Sequence, residues 1–303
     1  MNVSNHETRR GPALRRGARI RIAAAIALLA VAGCATSDPA AVAPAPAADE
    51  VRTHEGLHAT LWLQTAAEYR ANTLQAYRSA TVHLDLALED PAWTAALEQT
   101  GDYGALPPAI ILDMDEAIIR SDRFQAALVK NDERFSIDAW NAWVRTETSL
   151  AIPGALAYVH HARERGVHVF YVTNRTFEVE QATYDTLRML GFPIENGLDD
   201  LLTQDERPEW PADKSSRRAF LARSHRVLQI VGDNLNDFTS GSHAPPAERR
   251  DLADRYADYW GSRWIILPNP AYGGWEGALY DFDHGLRRPE KVRRKLDFLK
   301  PWK

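Results

Sequence analysis

Short apolar runs alternate with segments of helical periodicity along most of the chain. Four of the runs have the length and composition of buried strands, and they are Ala109–Leu112, Val167–Val172, Val227–Val231 and Trp264–Leu267. Three segments have the period and end signals of helices, and they are Pro153–Arg165, Phe177–Leu190 and Lys214–Arg223, the last with Asp213 as N-cap. Because strands that alternate with such helices form parallel sheets, the pattern predicts an α/β fold with a doubly wound, Rossmann-like sheet.

Two further regions flank the first predicted strand. Val51–Glu89 is predicted to be helical, in two pieces, and Pro107-Pro108 ends this region. Phe124–Ser149 is an insert rich in aromatic and charged residues. We therefore expect one domain over residues 51–303, in which segments from about 51–106 and 119–150 supply a smaller, mostly helical cap.

The first 50 residues have a different pattern. Several arginines precede the apolar run Ile22–Val31, which is too short to span a bilayer comfortably. The run ends at Val31-Ala32-Gly33-Cys34, which resembles the bacterial lipobox. We predict a lipoprotein signal peptide over residues 1–33 and lipidation of Cys34 by diacylglyceryl and palmitate. The alternatives are a transmembrane anchor or an ordinary signal peptide with an incidental cysteine.

The segment after Cys34 is predicted to be a disordered tether, over residues 34–50, because Ala and Pro dominate it and no apolar period is present. By its resemblance to known sorting signals, Ala35 after the cysteine favours the outer membrane, so we expect a cell-envelope protein that meets the membrane through its lipid alone. Cys34 is the only cysteine of the chain, so no disulfide can form within it.

Composition and charge restrict the possible partners. The chain has 303 residues, 45% hydrophobic and 25% charged, which suits one large domain or a core domain with a cap. Without residues 1–33 it has 30 basic and 40 acidic residues, a formal charge of −10. Because a surface this acidic repels a phosphate backbone, we expect no nucleic-acid partner.

Polar side chains follow three of the predicted strands, at the point where each strand ends. They are Asp113 and Asp115 after the first, Thr173 and Asn174 after the second, and Asp233 and Asp237 after the third. Lys214 stands at a predicted helix start. Because the carboxyl ends of parallel strands meet in one crevice, these side chains are expected to lie together. Several carboxylates, one lysine and no cluster of Cys or His ligands indicate a Mg²⁺ site for phosphate chemistry.

Each side chain has a chemical use at such a site. One carboxylate of the Asp113/Asp115 pair can attack phosphorus while the other carries a proton. Thr173 can donate to a phosphoryl oxygen, and Lys214 offers a compact positive charge. Asp233 could complete the metal's oxygen shell, and Asp237 could hold Lys214 or a metal-bound water. Taken singly, each has an ordinary structural explanation as a strand cap, a turn or a surface residue.

The order of these motifs resembles the haloacid dehalogenase (HAD) superfamily of phosphohydrolases. More narrowly, the chain is similar to the class C acid phosphatase, or lipoprotein e, family of bacterial outer-membrane 5′-nucleotidases. The most specific supporting strings are Gly232-Asp233-Asn234-Leu235-Asn236-Asp237-Phe238 and Leu267-Pro268-Asn269-Pro270-Ala271-Tyr272-Gly273-Gly274-Trp275-Glu276, and the similarity runs from about Val51 to the end. The Asp-Met-Asp string at 113–115 is less specific.

The resemblance implies a role for each residue. Asp113 is the nucleophile that forms an aspartyl-phosphate, and Asp115 is the general acid and then the base. Mg²⁺ is held by Asp113, by the main-chain carbonyl of Asp115 and by Asp233. Asp237 supports the metal's ligand shell or Lys214. Thr173, Asn174 and Lys214 bind the phosphoryl group. The implied reaction is hydrolysis of phosphomonoesters, in particular of nucleoside 5′-monophosphates, by an enzyme that could be a homodimer.

Specificity is expected to come from aromatic side chains. By position, Phe124 and Tyr272 are the predicted clamp for the nucleobase, because aromatic faces stack on bases. Trp140 and Trp143, three residues apart, suit the buried stripe of a helix instead.

Three residues depart from the family pattern. Ala117 replaces a threonine, and Arg120-Ser121 replaces an Asp-Asn pair. Arg120 could contact the substrate phosphate or change which substrate fits. An alternative function is therefore a catalytically impaired lipoprotein that binds a nucleotide or another small ligand.

Overall fold

The computed structural model describes residues 53–302, and seven strands and eleven α-helices lie in that part of the chain. The strands are β1 (Pro108–Leu112), β2 (Ile119–Arg120), β3 (Leu150–Ala151), β4 (His168–Thr176), β5 (Leu201–Gln204), β6 (Arg226–Gly232) and β7 (Trp264–Ile266). The helices are α1 (Leu57–Thr65), α2 (Ala67–Glu89), α3 (Asp122–Asn131), α4 (Ile137–Val144), α5 (Ala155–Glu164), α6 (Glu180–Leu190), α7 (Ser215–Ala222), α8 (Leu235–Phe238), α9 (Pro246–Arg255), α10 (Gly274–Gly277) and α11 (Arg288–Asp297).

The main sheet has five parallel strands in the order β5-β4-β1-β6-β7. The chain runs outward from β1 through β4 to β5, returns to the other side of β1 for β6, and then reaches β7. The direction of winding therefore reverses at β1, and in sheets of this kind ligands bind beyond the carboxyl ends of the strands at that point. The predicted α/β class and doubly wound sheet are confirmed.

Both faces of the sheet are covered. In β1, Ile110 and Leu112 pack into one apolar cluster, whereas Ala109 and Ile111 pack into the cluster on the opposite face. Residues of β4 alternate in the same way, as the two-residue period of a strand requires. Because each face is buried, the strands carry continuous apolar runs rather than an apolar–polar alternation.

Helix α2 belongs to one of these layers. Tyr77, Ala80, Leu84 and Ala87 recur at helical spacing, are fully buried, and share a cluster with the strands and α5. The prediction that all of 51–106 belongs to a cap is therefore wrong for α2, and residues 90–106 contain no helix or strand. The overall domain boundaries stay a prediction.

Residues 119–151 contain the helices α3 and α4 and the strands β2 and β3. The ribbon β2–β3 closes this segment, with Ile119 opposite Ala151, while α3 and α4 share a separate apolar cluster. Sequence patterns did not reveal β5, a short edge strand, or the polar helices α9 and α11. Helix α7 begins one residue later than predicted: Lys214 is its cap residue, and the Asp213 carboxylate accepts the N–H of Ser215 (2.8 Å).

The predicted signal peptide, the predicted tether and Cys34 lie outside the described residues. Within the described part, no helix is both long enough and apolar enough to cross a bilayer.

Because α2 packs on the sheet, substitution of two leucines of that helix by alanine should lower the free energy of unfolding by unequal amounts. Leu84 is 0% exposed, and Leu86 is 50% exposed. We expect Leu84→Ala to lower the free energy of unfolding by about 2–5 kcal/mol, because it leaves a cavity against the sheet. Leu86→Ala, the matched control, should cost less than about 1 kcal/mol. Urea unfolding measures both, and equal small costs would show that α2 does not pack on the sheet.

Candidate active site

The predicted site residues gather at the carboxyl ends of the central strands. Asp113 directly follows β1, and its N–H donates to the carbonyl of Val231 in β6 (2.8 Å). Asp233 directly follows β6, and Thr173 lies in β4 beside β1. Lys214 caps α7. The crevice is thus located where the winding of the sheet reverses.

Three carboxylates converge on one point. One oxygen each of Asp113, Asp233 and Asp237 can be chosen so that all three lie within 4.8 Å of one another. The ammonium of Lys214 donates to Oδ1 of Asp113 and to Oδ1 of Asp237 (2.6 Å). Lys214, Asp113 and Asp237 are all buried, so these charges are compensated mainly by one another.

The compensation is incomplete, because three carboxylates face one ammonium. Burial, opposed by Lys214 but reinforced by Asp237, raises the pKa of Asp113 to about 7. Burial together with Asp237 and Asp113 raises the pKa of Asp233 well above its usual range. Burial lowers the pKa of Lys214, but Asp113 and Asp237 more than offset this, and the net shift is upward. A divalent cation that prefers oxygen ligands would offset the remaining negative charge, so the donor set fits such an ion.

Asp237 holds the site together without offering a free oxygen. Its Oδ1 accepts from Lys214, while its Oδ2 accepts the N–H groups of Asp233 (3.1 Å) and Asn234 (2.9 Å). Gly232 makes this approach possible, since a Cβ there would lie 2.2 Å from Asp237 Oδ2. The glycine therefore has a packing role, and Asp237 fixes both the lysine and the turn that carries Asp233.

Asp115 lies apart from the three-carboxylate cluster. Both of its oxygens accept from the Arg175 guanidinium, from Nε at 2.9 Å and from Nη2 at 2.8 Å. Arg175 is 2% exposed, and its guanidinium carbon lies 5.8–5.9 Å from the rings of Trp143 and Trp140. Sequence reasoning missed this partner, although Arg175 stands in the Thr-Asn-Arg string. The metal role predicted for the Asp115 carbonyl stays a prediction.

The residues that end β4 are tied to the loop before α7. Thr173 is buried, and its Oγ1 accepts the N–H of Arg175 (3.1 Å). The Asn174 side chain donates to the carbonyl of Ala212 (2.9 Å) and accepts from Arg217 (2.6 Å). Since both ends of its amide are paired, phosphate binding by Asn174 would have to use its main-chain N–H. Arg217, also missed from the sequence, is a buried brace that in addition donates to the carbonyl of Thr173.

Of the two predicted clamp residues, only Tyr272 lies beside the carboxylates. Phe124 is 4% exposed and packs edge-on against Trp140 (5.1 Å between ring centroids), so it belongs to the core of the insert, and the clamp prediction is wrong for it. Tyr272 is half-buried, and its main-chain N–H donates to Oδ1 of Asn269 (3.3 Å). Asn269 in turn donates to Oδ2 of Asp233 (2.7 Å).

The atypical residues beside the first motif form their own network. Glu116 is buried with a left-handed backbone (φ 59°), and its Oε1 accepts the N–H (2.7 Å) and Oγ–H (2.8 Å) of Ser121. Ser121 also contacts the Tyr272 hydroxyl (3.2 Å). Burial raises the pKa of Glu116 to about 7. Ala117 is buried, and its carbonyl accepts from Tyr77 (2.6 Å).

Arg120 is directed away from the carboxylates. It is ion-paired with Asp122 (2.8 Å) and donates to the carbonyl of Leu63 (3.2 Å). In this structure it therefore braces α1 against α3, and its effect on the substrate stays a prediction.

A sheet with clustered carboxylates and a lysine at its switch point defines the class of α/β phosphohydrolases. The sequence agrees with this class over most of its length: a family model for the HAD superfamily, subfamily IIIB (acid phosphatase), matches residues 31–275. The chain belongs to this family. It is therefore a phosphoric monoester hydrolase, and its substrate is a small phosphorylated molecule.

Solved structures agree with this assignment. The class C acid phosphatase from Bacillus anthracis, for which two structures match and one has tungstate bound, is 31% identical to this chain. Each alignment covers 82% of this chain and 98% of the bacterial enzyme, with a TM-score of 0.73. The stem 28 kDa glycoprotein of Glycine max is 22% identical over 144 residues, or 46% of this chain. This chain spans about half the length (50%) of that curated relative.

The ion pair between Arg175 and Asp115 predicts that catalysis depends on both hydrogen bonds that orient the Asp115 carboxylate. Arg175→Lys keeps the positive charge but replaces a planar fork by a single point donor, so Asp115 loses its fixed orientation. We expect kcat for phosphate release to fall by about tenfold to a hundredfold, with KM little changed. Arg188→Lys, at an exposed arginine of α6, is the control and should keep full activity. An unchanged kcat for Arg175→Lys would show that the pair is only structural.

Proposed function

We propose that this protein is a Mg²⁺-dependent acid phosphatase that works through an aspartyl-phosphate on Asp113. The observation that carries the proposal is the position of Asp113. It lies at the end of the central strand, is paired with Lys214, and is close to the Asp233 carboxylate. An oxygen nucleophile beside a fixed ammonium and a second carboxylate suits attack on phosphorus.

The residues would divide the work as follows. Asp113 and Asp233 would hold the cation, which supplies positive charge to the phosphoryl oxygens. An Asp113 oxygen bonds to phosphorus as the ester P–O bond breaks, and the leaving alkoxide takes a proton from Asp115. Water, deprotonated by Asp115, then attacks phosphorus and releases inorganic phosphate and free Asp113. Lys214 and the Thr173 hydroxyl bind the phosphoryl oxygens during both steps.

Arg175 bears on both proton transfers, because its guanidinium donates to both carboxylate oxygens of Asp115. Neither oxygen is free to carry a proton while this pair is intact. In the first step Asp115 must carry a proton. We therefore propose that substrate entry loosens the Asp115–Arg175 pair, so that the same side chain can serve as acid and then as base.

We further propose a preference for nucleoside 5′-monophosphates. Support comes from the resemblance to the 5′-nucleotidase family and from the aromatic loop beside Asp233. In this loop Tyr272 is linked to Asp233 through Asn269, and Trp275 is half-exposed. An aromatic ring beside a phosphate site can stack on the base of a bound nucleotide.

Replacement of the nucleophile should abolish turnover without unfolding the protein. In Asp113→Asn, Lys214 keeps Asp237 as a partner, so the fold should survive. We expect phosphate release from 5′-AMP and from p-nitrophenyl phosphate to fall at least about a thousandfold. EDTA should also stop the wild-type enzyme, and added Mg²⁺ should restore it.

Asp102→Asn, at an exposed loop aspartate, is the matched control. Turnover that persists in Asp113→Asn would reject the aspartyl-phosphate route. Activity that persists in EDTA would reject the dependence on a divalent cation. If the folded wild type binds nucleotides but releases no phosphate, the impaired-binder alternative is correct. Equal rates on nucleotides and aryl phosphates would reject the nucleotide preference alone.

We propose, finally, that the enzyme is a lipoprotein of the outer membrane, anchored through Cys34. The support is the sequence Val31-Ala32-Gly33-Cys34 after a short apolar run. We expect mass spectrometry of the purified N-terminal fragment to show a diacylglyceryl group that is absent in Cys34→Ser. An unmodified cysteine in protein from envelope membranes would instead favour a transmembrane anchor or an ordinary signal peptide.

A further inference from the structure

The end of the chain has a charge opposite to the rest. Residues 287–303 contain eight basic and two acidic residues, a formal charge of +6, whereas residues 1–286 contain 28 basic and 39 acidic residues, a charge of −11. Such a contrast within one chain indicates a surface with its own partner. It belongs neither to the sheet nor to the phosphatase site, so an inference from it goes beyond the proposed function.

Four of these basic residues are used in ion pairs. Arg288 pairs with Asp132, Arg294 with Asp281, and Lys295 with Glu276 (2.5 Å), so that α11 is held to the domain. Arg287 pairs with Glu290 within the helix. Lys291, Arg293 and Lys300 form no ion pair with any carboxylate of residues 53–302, although the Lys291 ammonium lies 4.7 Å from the centroid of the Tyr280 ring. Arg293 and Lys300 are exposed, and their charges are available to a partner.

Large apolar side chains are exposed among these cations. They are Leu296, Phe298, Leu299 and Trp302, and Trp302 is 98% exposed. We call these four residues, with Lys291, Arg293 and Lys300, the C-terminal patch. A helix with cations beside exposed Leu, Phe and Trp is typical of segments that lie in the interface of a bilayer. Trp is favoured there because its ring is apolar while its N–H can be hydrated.

Ion pairs also join α11 to the segment that precedes α1. Lys295 donates to Oε2 of Glu55 (2.6 Å), and Arg288 is 3.4 Å from its Oε1. The patch is therefore carried on a helix whose first part is fixed to the domain.

We propose that the C-terminal patch binds the surface of an anionic phospholipid bilayer. Charge complementarity supports this occupant over a second copy of the chain. A symmetric dimer through this surface would place equal cations face to face. A bilayer rich in phosphatidylglycerol instead offers negative headgroups to the cations and an acyl boundary to the four apolar side chains.

The test places a fluorophore beside the patch. Because Cys34 is the only cysteine, the full chain with Cys34→Ser and Pro301→Cys carries one reactive thiol. We expect the fluorescence emission of an environment-sensitive dye on this thiol to shift to shorter wavelength when phosphatidylglycerol vesicles are added. The emission shift should be much smaller with phosphatidylcholine vesicles, and it should decrease at high salt. The control carries the same dye through Val82→Cys in place of Pro301→Cys, at an exposed position of α2, and should not respond.

Two sets of variants separate the contributions within the patch. Lys291→Gln, Arg293→Gln and Lys300→Gln together should weaken binding about a hundredfold, or about fivefold for each charge. Leu296→Ser, Phe298→Ser and Trp302→Ser together should abolish the blue shift. Thermal unfolding confirms that both variants remain folded.

Other outcomes would overturn the proposal. A blue shift that grows with protein concentration in the absence of vesicles would identify a second copy as the occupant. A response that the variants leave unchanged, or none in any vesicle, would show that the patch binds no lipid. Phosphate release is not part of the readout, so failure here leaves the phosphatase proposal standing, and the reverse also holds.

Discussion

The site depends on one buried ammonium between two carboxylates. Lys214 donates to Asp113, which ends the central strand, and to Asp237, which closes the turn after the neighbouring strand. Without that charge, three carboxylates that lie within 4.8 Å of one another would have no ammonium paired with them. A buried pair of this kind adds little net stability compared with apolar packing, but the loss of one partner is costly. The lysine therefore serves to hold Asp113 and Asp237 together.

The topology makes this arrangement possible. Because the winding reverses at β1, the ends of β1 and β6 are adjacent although more than a hundred residues separate them in the chain. The buried registers of these strands fix Asp113 and Asp233 to within a residue, since a slip by one position would exchange the two faces of the sheet. Gly232 then lets Asp237 approach the end of the strand. The strands thus position the carboxylates of Asp113 and Asp233, while the segments outside the strands supply Lys214 and the supporting carboxylate of Asp237.

Much of this site was readable from the sequence, because its residues follow strands that carry strong apolar signals. The ends of the predicted strands and a parallel sheet were enough to predict that Asp113, Thr173 and Asp233 lie at the site. The predicted start of a helix was enough to place Lys214 there. What could not be read depends on contacts distant in sequence. The burial of Phe124 depends on how α3 packs against α4, and the position of α2 depends on its contacts with the sheet. The pairing of Arg175 with Asp115 joins the end of β4 to the turn after β1, across 60 residues of sequence. The short edge strand β5 was missed because four residues give too little periodicity.

The departures from the family pattern now have a physical meaning. Ser121 is held by the buried Glu116 and contacts the hydroxyl of Tyr272, so it joins the turn after Asp115 to the aromatic loop beside Asp233. Arg120 points the other way, toward Asp122 and α1. One replacement therefore couples the catalytic turn to the proposed base-binding side, while its neighbour anchors the cap helices. Neither replacement displaces Asp113, Asp115 or Lys214, whose side chains keep their own partners.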